Sequence, residues 1–161
     1  MVSVDAQWSD QVPLVKDSLR GVFADVANAG GPAFTWSDEL SGNLIVRIDP
    51  ADSCLQPHYI SCARWWYDGS TVTRGELIFP SPQLARDDRN AMHSMGHLVG
   101  LNEWPMVNAV MNGDHPSPTF HDLERTALHM MYQHRSPGNL WPDREASFPA
   151  SSGRGMAEAR H

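Results

Sequence analysis

The sequence predicts an α+β protein, because helical and strand-like periodicities occupy separate stretches of the 161-residue chain. Apolar residues recur at helical spacing in 10–28, and again in 83–100 and 119–134. Between them, 33–80 is rich in alternating, aromatic and β-branched residues, which are typical of strands. We expect one domain over 1–135, since a chain of this length is too short for two comfortable cores.

The first helix is predicted from a single apolar stripe, with Asp10 as its cap and Pro13 in its first turn. The stripe consists of residues three or four positions apart: Val15, Leu19, Val22, Phe23 and Val26. Three or four strands should follow. The clearest are 43–49, where apolar residues alternate, the aromatic stretch 58–67, and 72–79 after an Asp-Gly turn signal.

The later part of the chain returns to helical period. Residues 83–100 carry an inward stripe and stop at Gly100, and 119–134 form a last helix with Thr119 as candidate cap. Asp87 and Asp88 should complement the dipole at the start of the former helix. From 136 to 161 the chain is a tail rich in Pro, Gly and Ser, and we expect it to be disordered from about 146 onward.

Charge and composition restrict the possible partners. Net charge is −7, which argues against binding nucleic acid or an anionic membrane surface, and no apolar run approaches the ~18 residues of a membrane span. No basic patch followed by an apolar stretch opens the chain, so the prediction is a cytoplasmic protein. The alternative is the mature form of a secreted protein. Cys54 and Cys62 are expected to be free thiols, with a single disulfide as the alternative.

The segment from His93 to Glu103 is the most informative for chemistry. Two histidines four residues apart on a helix share a face, so His93 and His97 can reach one ion. Gly100 lets the chain leave the helix in a left-handed conformation, which can bring Glu103 beneath the same ion as a third ligand. The plainer alternative is two ordinary histidines on a helix.

The same segment resembles the metzincin zinc-peptidase signature, His-Glu-x-x-His-x-x-Gly-x-x-His/Asp. Residues 108–112 look like the Met-turn of that family, and 118–123 with Tyr132 resemble its last helix. The resemblance implies a twisted mixed sheet with a backing helix and an active-site helix. A small irregular C-terminal subdomain, carrying the Met-turn and the final helix, would complete the fold.

The resemblance also implies a zinc cofactor and hydrolysis of peptide bonds by zinc-activated water. His93, His97 and Glu103 would be the ligands, with water in the fourth position. Met111 would form an apolar floor under the histidines, and Asp122 could brace the site. A peptide or protein substrate would lie in the cleft and pair with an edge strand, for which 58–66 is the candidate.

Three residues depart from the family pattern. Ser94 stands at the position of the general-base glutamate, and loss of such a base typically costs ~10²–10⁴ in rate, so activity should be impaired. Glu103 replaces the usual histidine or aspartate, and Gly113 stands where several metzincins carry a tyrosine.

Ser94 leaves three interpretations open. It could be an engineered inactivation, or it could mark a natural pseudopeptidase that binds peptide without cutting it. In the third interpretation the chain is a re-tasked zinc enzyme acting on a small molecule, with a base drawn from Glu103, Asp114, His115 or His121. Trp65, Trp66 and Tyr67 are expected to pack in the core and cover an edge, with a cleft wall as the alternative.

Overall fold

A computed structural model describes residues 2–4, 12–37, 42–55, 59–68, 71–114, 116–132 and 152–160. Within these ranges the strands are β1 (Val2–Val4), β2 (Leu44–Ile48), β3 (Tyr59–Asp68), β4 (Thr71–Phe79) and β5 (Ser152–Arg160). The helices are α1 (Val12–Asn28), α2 (Pro82–Ala85), α3 (Asp88–Leu98) and α4 (Asp122–Tyr132). None of the helices in the described part of the chain is long and apolar enough to cross a membrane.

The strands form one sheet in the order β1-β2-β4-β3-β5. The first three of these run parallel to one another, whereas β3 is antiparallel to both β4 and β5. The sheet is therefore mixed, and the predicted α+β class is confirmed.

Helices α1 and α3 pack on one face of the sheet and share a single core with it. In β2 the alternate residues Leu44, Val46 and Ile48 are buried, as the sequence pattern predicts. The apolar stripe of α1 is also confirmed, since each of its five predicted residues is buried. Gly75 of β4 lies against the Leu98 side chain of α3, so this close approach fixes α3 on the sheet.

The other face of the sheet carries the cysteines. Cys54 and Cys62 form a disulfide, so the prediction of two free thiols is wrong. Cys62 points away from the helices, toward the turns that follow β2, and there it packs with Cys54 and Ile78. The disulfide thereby ties those turns to the middle of the sheet.

The predicted helix 83–100 is divided in two by Asp87. The backbone of Asp87 is extended (φ −77°, ψ 109°), and its carboxylate accepts the N–H groups of Arg89 and Asn90, so a new helix begins after it. Asp87 therefore caps α3 directly. Similarly, α4 begins at Asp122 and not near Thr119, because Nδ1 of His121 accepts the Leu123 N–H and Glu124 accepts the His121 N–H.

The end of the chain differs from the expected disordered tail. Residues 152–160 form β5, which pairs with β3 along its length. Few large apolar residues are needed for this, because an edge strand is held by main-chain hydrogen bonds. As a result β3 lies between two strands, and it is not the free edge strand that was predicted for 58–66. His58 itself lies outside the described residues.

Candidate metal centre

Helix α3 presents two histidines from successive turns. His93 and His97 are both buried, and their Nε2 atoms lie 3.2 Å apart. The rings meet edge to face, with an interplanar angle of 89°, so the two nitrogen atoms converge on one point. The shared face that the spacing predicts is therefore present.

The chain reverses after α3 and brings Glu103 to the same point. Gly100 has φ +97°, the left-handed conformation predicted for it, and the Leu101 N–H donates to the Gly96 carbonyl. Oε1 of Glu103 then lies 3.2 Å from His93 Nε2 and 3.3 Å from His97 Nε2. Gly113 makes room for this carboxylate, since a Cβ there would lie 2.7 Å from Oε2 of Glu103.

The resulting triangle is close in size to the ligand set of a tetrahedral metal site such as that of zinc. Ligand atoms 2.0–2.2 Å from one zinc ion at the tetrahedral angle lie roughly 3.3–3.6 Å apart. The three distances between His93, His97 and Glu103 are 3.2, 3.2 and 3.3 Å. The Glu103 side chain is 52% exposed, so this corner of the cluster is open to solvent.

Hydrogen bonds to the other ring nitrogens fix the tautomers of both histidines. Nδ1 of His93 lies 2.8 Å from the Val110 carbonyl, and Nδ1 of His97 lies 3.2 Å from that of Leu101. A carbonyl can only accept, so each Nδ1 donates, and in a neutral ring the Nε2 atom then carries a lone pair. When both rings are neutral, two lone pairs and a carboxylate oxygen therefore converge on one point.

Burial favours the neutral, acceptor form of His97. Desolvation is the main cause that lowers the pKa of His97, and the neighbouring His93 lowers it further. The Glu103 carboxylate acts in the opposite direction, but the pKa of His97 stays below its usual value. A neutral imidazole is the form that binds metal ions.

Met111 packs against the turn of α3 between the two histidines. It is fully buried, and its Sδ contacts Gly96, the residue between the two histidines, so closely that a Cβ on Gly96 would overlap it. A thioether suits this position because it is flexible and polarizable. Met111 therefore lies against the helical turn that carries both histidines.

Glu124 is the supporting residue that sequence analysis missed. Its buried carboxylate accepts the N–H groups of Val110 and Met111, and thereby fixes the loop whose Val110 carbonyl orients His93. The carboxylate proposed for this supporting role, Asp122, is exposed at the start of α4. The sequence pattern that could have indicated Glu124 is its spacing. It lies three residues after His121 at a helix start and four before Leu128, on one helix face.

Ser94 points away from open solvent. It is buried, and its Oγ lies 2.7 Å from Oγ of Ser61 on β3. The Ser94 hydroxyl therefore forms a hydrogen bond between α3 and β3. Of the other candidate bases, Asp114 is exposed and His121 accepts a main-chain N–H at the start of α4, and neither joins the cluster. His115 lies outside the described residues.

The aromatic run divides between two environments. Trp65 packs against the core on the helix side of the sheet, as core packing predicts. Trp66 lies on the opposite face, under the guanidinium of Arg74 at 4.9 Å. At the end of α4, the Tyr132 hydroxyl donates to the Val99 carbonyl and ties that helix to the end of α3.

Comparisons with protein-family models, curated proteins and solved structures gave no match. The geometry of the site therefore has to carry any assignment of function.

Proposed function

We propose that the chain binds one zinc ion through His93, His97 and Glu103, and that it is a hydrolase of the metzincin peptidase type with impaired activity. The observation that carries the proposal is the convergence of three acceptor atoms with no donor among them. The two histidine nitrogens are buried, and a buried acceptor is costly to leave without a donor or a cation. Two nitrogen ligands and one oxygen ligand also suit zinc.

Each residue of the site has a definite part in this proposal. His93 and His97 bind through Nε2 while their Nδ1 atoms donate to main-chain carbonyls, which holds the rings in place. Glu103 completes the set from the solvent side. When bound, zinc supplies Lewis acidity and lowers the pKa of water.

The proposed reaction, peptide-bond hydrolysis, rests on the resemblance of the segment around these ligands to the metzincin signature. Ser94 is the reason for the low activity. A hydroxyl is not a base near neutral pH, and the Ser94 hydroxyl is already bonded to Ser61. Among the described residues, no further histidine or carboxylate joins the three ligands, so the cluster offers no substitute base.

A second candidate is a pseudopeptidase, a module that binds an extended peptide without cutting it. The buried bond between Ser94 and Ser61 favours this alternative, because it gives Ser94 a structural role in place of a catalytic one. The disulfide also bears on the cellular compartment of the protein, because disulfides persist in oxidising compartments. It supports the secreted alternative over the cytoplasmic one.

Zinc binding is the first test. Metal analysis of untagged protein should give one zinc per chain, and competition with a chromophoric chelator should give its affinity. His93→Ala and Glu103→Ala should each weaken binding by more than about 100-fold, since loss of a ligand costs at least as much as loss of a supporting residue. His129→Ala, on the exposed side of α4, is the matched control and should change nothing. Unchanged affinity in Glu103→Ala would remove Glu103 from the ligand set.

Activity is the second test. Ser94→Glu combined with Ser61→Gly restores a carboxylate and removes the side chain that would crowd it. With zinc bound, the double variant should cleave an unfolded protein about 10²–10⁴-fold faster than Ser61→Gly alone, which is the control. Intact zinc binding without any gain in cleavage would instead favour the peptide-binding module.

A further inference from the structure

The third proposed ligand is oriented differently from the two histidines. Each histidine ring is held by a hydrogen bond from Nδ1 to a main-chain carbonyl, 2.8 Å long for His93 and 3.2 Å for His97. Glu103 faces both rings through Oε1, whereas its Oε2 lies beside Gly113. The orientation of the Glu103 carboxylate therefore depends on the main chain next to Oε2.

The main chain at Gly113 is fixed by the side chain of Asn112. Oδ1 of Asn112 accepts the Asp114 N–H at 3.0 Å, which closes a turn around Gly113. Nδ2 of Asn112 donates to the Met106 carbonyl at 3.0 Å and thereby attaches this turn to the preceding loop. The turn 112–114 is thus a defined surface against which a neighbouring side chain can rest.

A main-chain hydrogen bond fixes the distance between Glu103 and this turn. The Trp104 N–H donates to the Met111 carbonyl at 2.7 Å, so the residue after Glu103 is tied to the segment that leads into Gly113. The Glu103 side chain therefore extends from a fixed position toward a fixed turn. Its carboxylate fills the space that Gly113, without a side chain, leaves open.

A side chain at Gly113 would displace the carboxylate. A Cβ there would lie 2.7 Å from Oε2 of Glu103, which is shorter than an ordinary van der Waals contact. The Glu103 side chain is flexible and 52% exposed, so it can move into solvent without disturbing the core. The left-handed glycines of the described chain are Gly30 and Gly100, so alanine at Gly113 meets no backbone strain of that kind.

We propose that Gly113 is a positioning residue of the metal centre, because its lack of a side chain lets the turn 112–114 direct Oε1 of Glu103 toward the ion. Gly113 thereby determines that a glutamate can serve as the third ligand. It acts only through Glu103, since it has no side chain of its own to offer a metal ion. This inference rests on the proposed function, because it requires an ion bound by His93, His97 and Glu103.

A double-mutant cycle on zinc affinity tests the proposal. Gly113→Ala should weaken zinc binding about 10–100-fold, the usual effect of losing a group that orients a ligand. In the Glu103→Ala background there is no carboxylate to displace, so adding Gly113→Ala should change the affinity by less than about twofold. Gly21→Ala is the matched control, because it adds the same methyl group in α1, where nothing lies within 4 Å. Competition with chromophoric chelators of graded affinity measures each variant.

Two further measurements distinguish positioning from a structural role. Without metal, the midpoint of urea unfolding of Gly113→Ala should equal that of the wild type. With cobalt(II) in place of zinc, the visible absorption depends on the ligand set, so the spectrum of Gly113→Ala should approach that of Glu103→Ala. Loss of metal-free stability, or failure of Gly113→Ala to fold, would overturn the proposal, because Gly113 would then support the fold itself.

The zinc affinities also separate failure of this proposal from failure of the metal site. Equal affinity in the wild type and Gly113→Ala would overturn the role of Gly113 and leave the metal site standing. An equal loss in both backgrounds would overturn it as well, because Gly113 would then act through a residue other than Glu103. A wild-type chain that binds no zinc would refute the proposed function, and the role of Gly113 with it.

Discussion

Two clusters of ionisable side chains, each with buried members, lie on opposite faces of the sheet, and they differ in how their charges are balanced. On the face away from the helices, the Arg64 guanidinium donates to Asp52 and to Glu76. Arg74 donates to the second oxygen of Glu76. On the helix side, His93, His97 and Glu103 bring together three acceptors.

The difference is the one expected between a structural cluster and the proposed metal site. In the Arg64 cluster two cations meet two carboxylates, so each charge has its counterion within the chain. One buried donor there, the Nε of Arg64, has no hydrogen-bond partner within the described residues. In the group of His93, His97 and Glu103, the ion pairs of the described residues join the carboxylate to the two histidine nitrogens, and the proposed metal ion would supply the positive charge. Removing a member should therefore destabilise the fold in the first case and abolish ligand binding in the second.

The largest expected effect on stability is at the structural cluster. Arg64→Ala leaves the carboxylates of Asp52 and Glu76 buried with one cation fewer, which should lower the free energy of unfolding by about 3–5 kcal/mol. Denaturant unfolding monitored by circular dichroism measures this. Zinc affinity of the folded variant should not change.

The matched control is Arg20→Ala. Arg20 pairs with Asp17 on the exposed surface of α1, where an ion pair contributes at most about 1 kcal/mol. If Arg64→Ala and Arg20→Ala cost the same, the Arg64 cluster does not stabilise the fold through buried charge pairing.

An intermediate effect on stability is expected at the contact between Gly96 and Met111, next to the proposed metal ligands. Gly96→Ala places a Cβ against Met111 Sδ, so Met111 must shift, which should cost about 1–3 kcal/mol of unfolding free energy and weaken zinc binding. Gly21→Ala in α1 is the control, because nothing lies near its Cβ position. That variant should gain about 0.4–1 kcal/mol. A gain in Gly96→Ala as well would show that Met111 is not packed as described.

The parts of the fold that sequence analysis predicted are those with local periodic patterns. The stripe of α1, the alternation in β2 and the left-handed turn at Gly100 each follow from a few neighbouring residues. By contrast, the strand β5 depends on main-chain pairing with β3, which leaves no apolar signal in its own sequence. The disulfide likewise depends on tertiary structure, because the sheet determines on which face Cys62 lies and therefore whether it meets Cys54.

In the candidate site, too, sequence analysis predicted the local features and missed those that depend on tertiary packing. His93, His97 and Glu103 come together because a helical turn and a chain reversal are local, so their spacing was sufficient to predict the cluster. Glu124 was missed because its role depends on α4 packing against the loop of Met111. The bond between Ser94 and Ser61 joins a helix to a strand far away in sequence, and no local pattern indicates it.

The smallest expected effect on stability is at the hydrogen bond between α4 and the end of α3. The Tyr132 hydroxyl donates to the Val99 carbonyl, so Tyr132→Phe should cost about 1 kcal/mol and leave zinc affinity unchanged. Burial raises the pKa of Tyr132 above its usual value of about 10.

A raised pKa in the folded state fixes the sign of the pH dependence. The contribution of Tyr132 is complete below about pH 10, where the hydroxyl is neutral in both states, and is lost as pH rises through the folded pKa. Between pH 9 and 11 the unfolding free energy of the wild type should therefore fall more steeply than that of Tyr132→Phe. The other tyrosines are common to both proteins and cancel in the difference. Parallel curves would show that the Tyr132 hydroxyl is not desolvated at the Val99 carbonyl, and α4 would then not be tied to the end of α3.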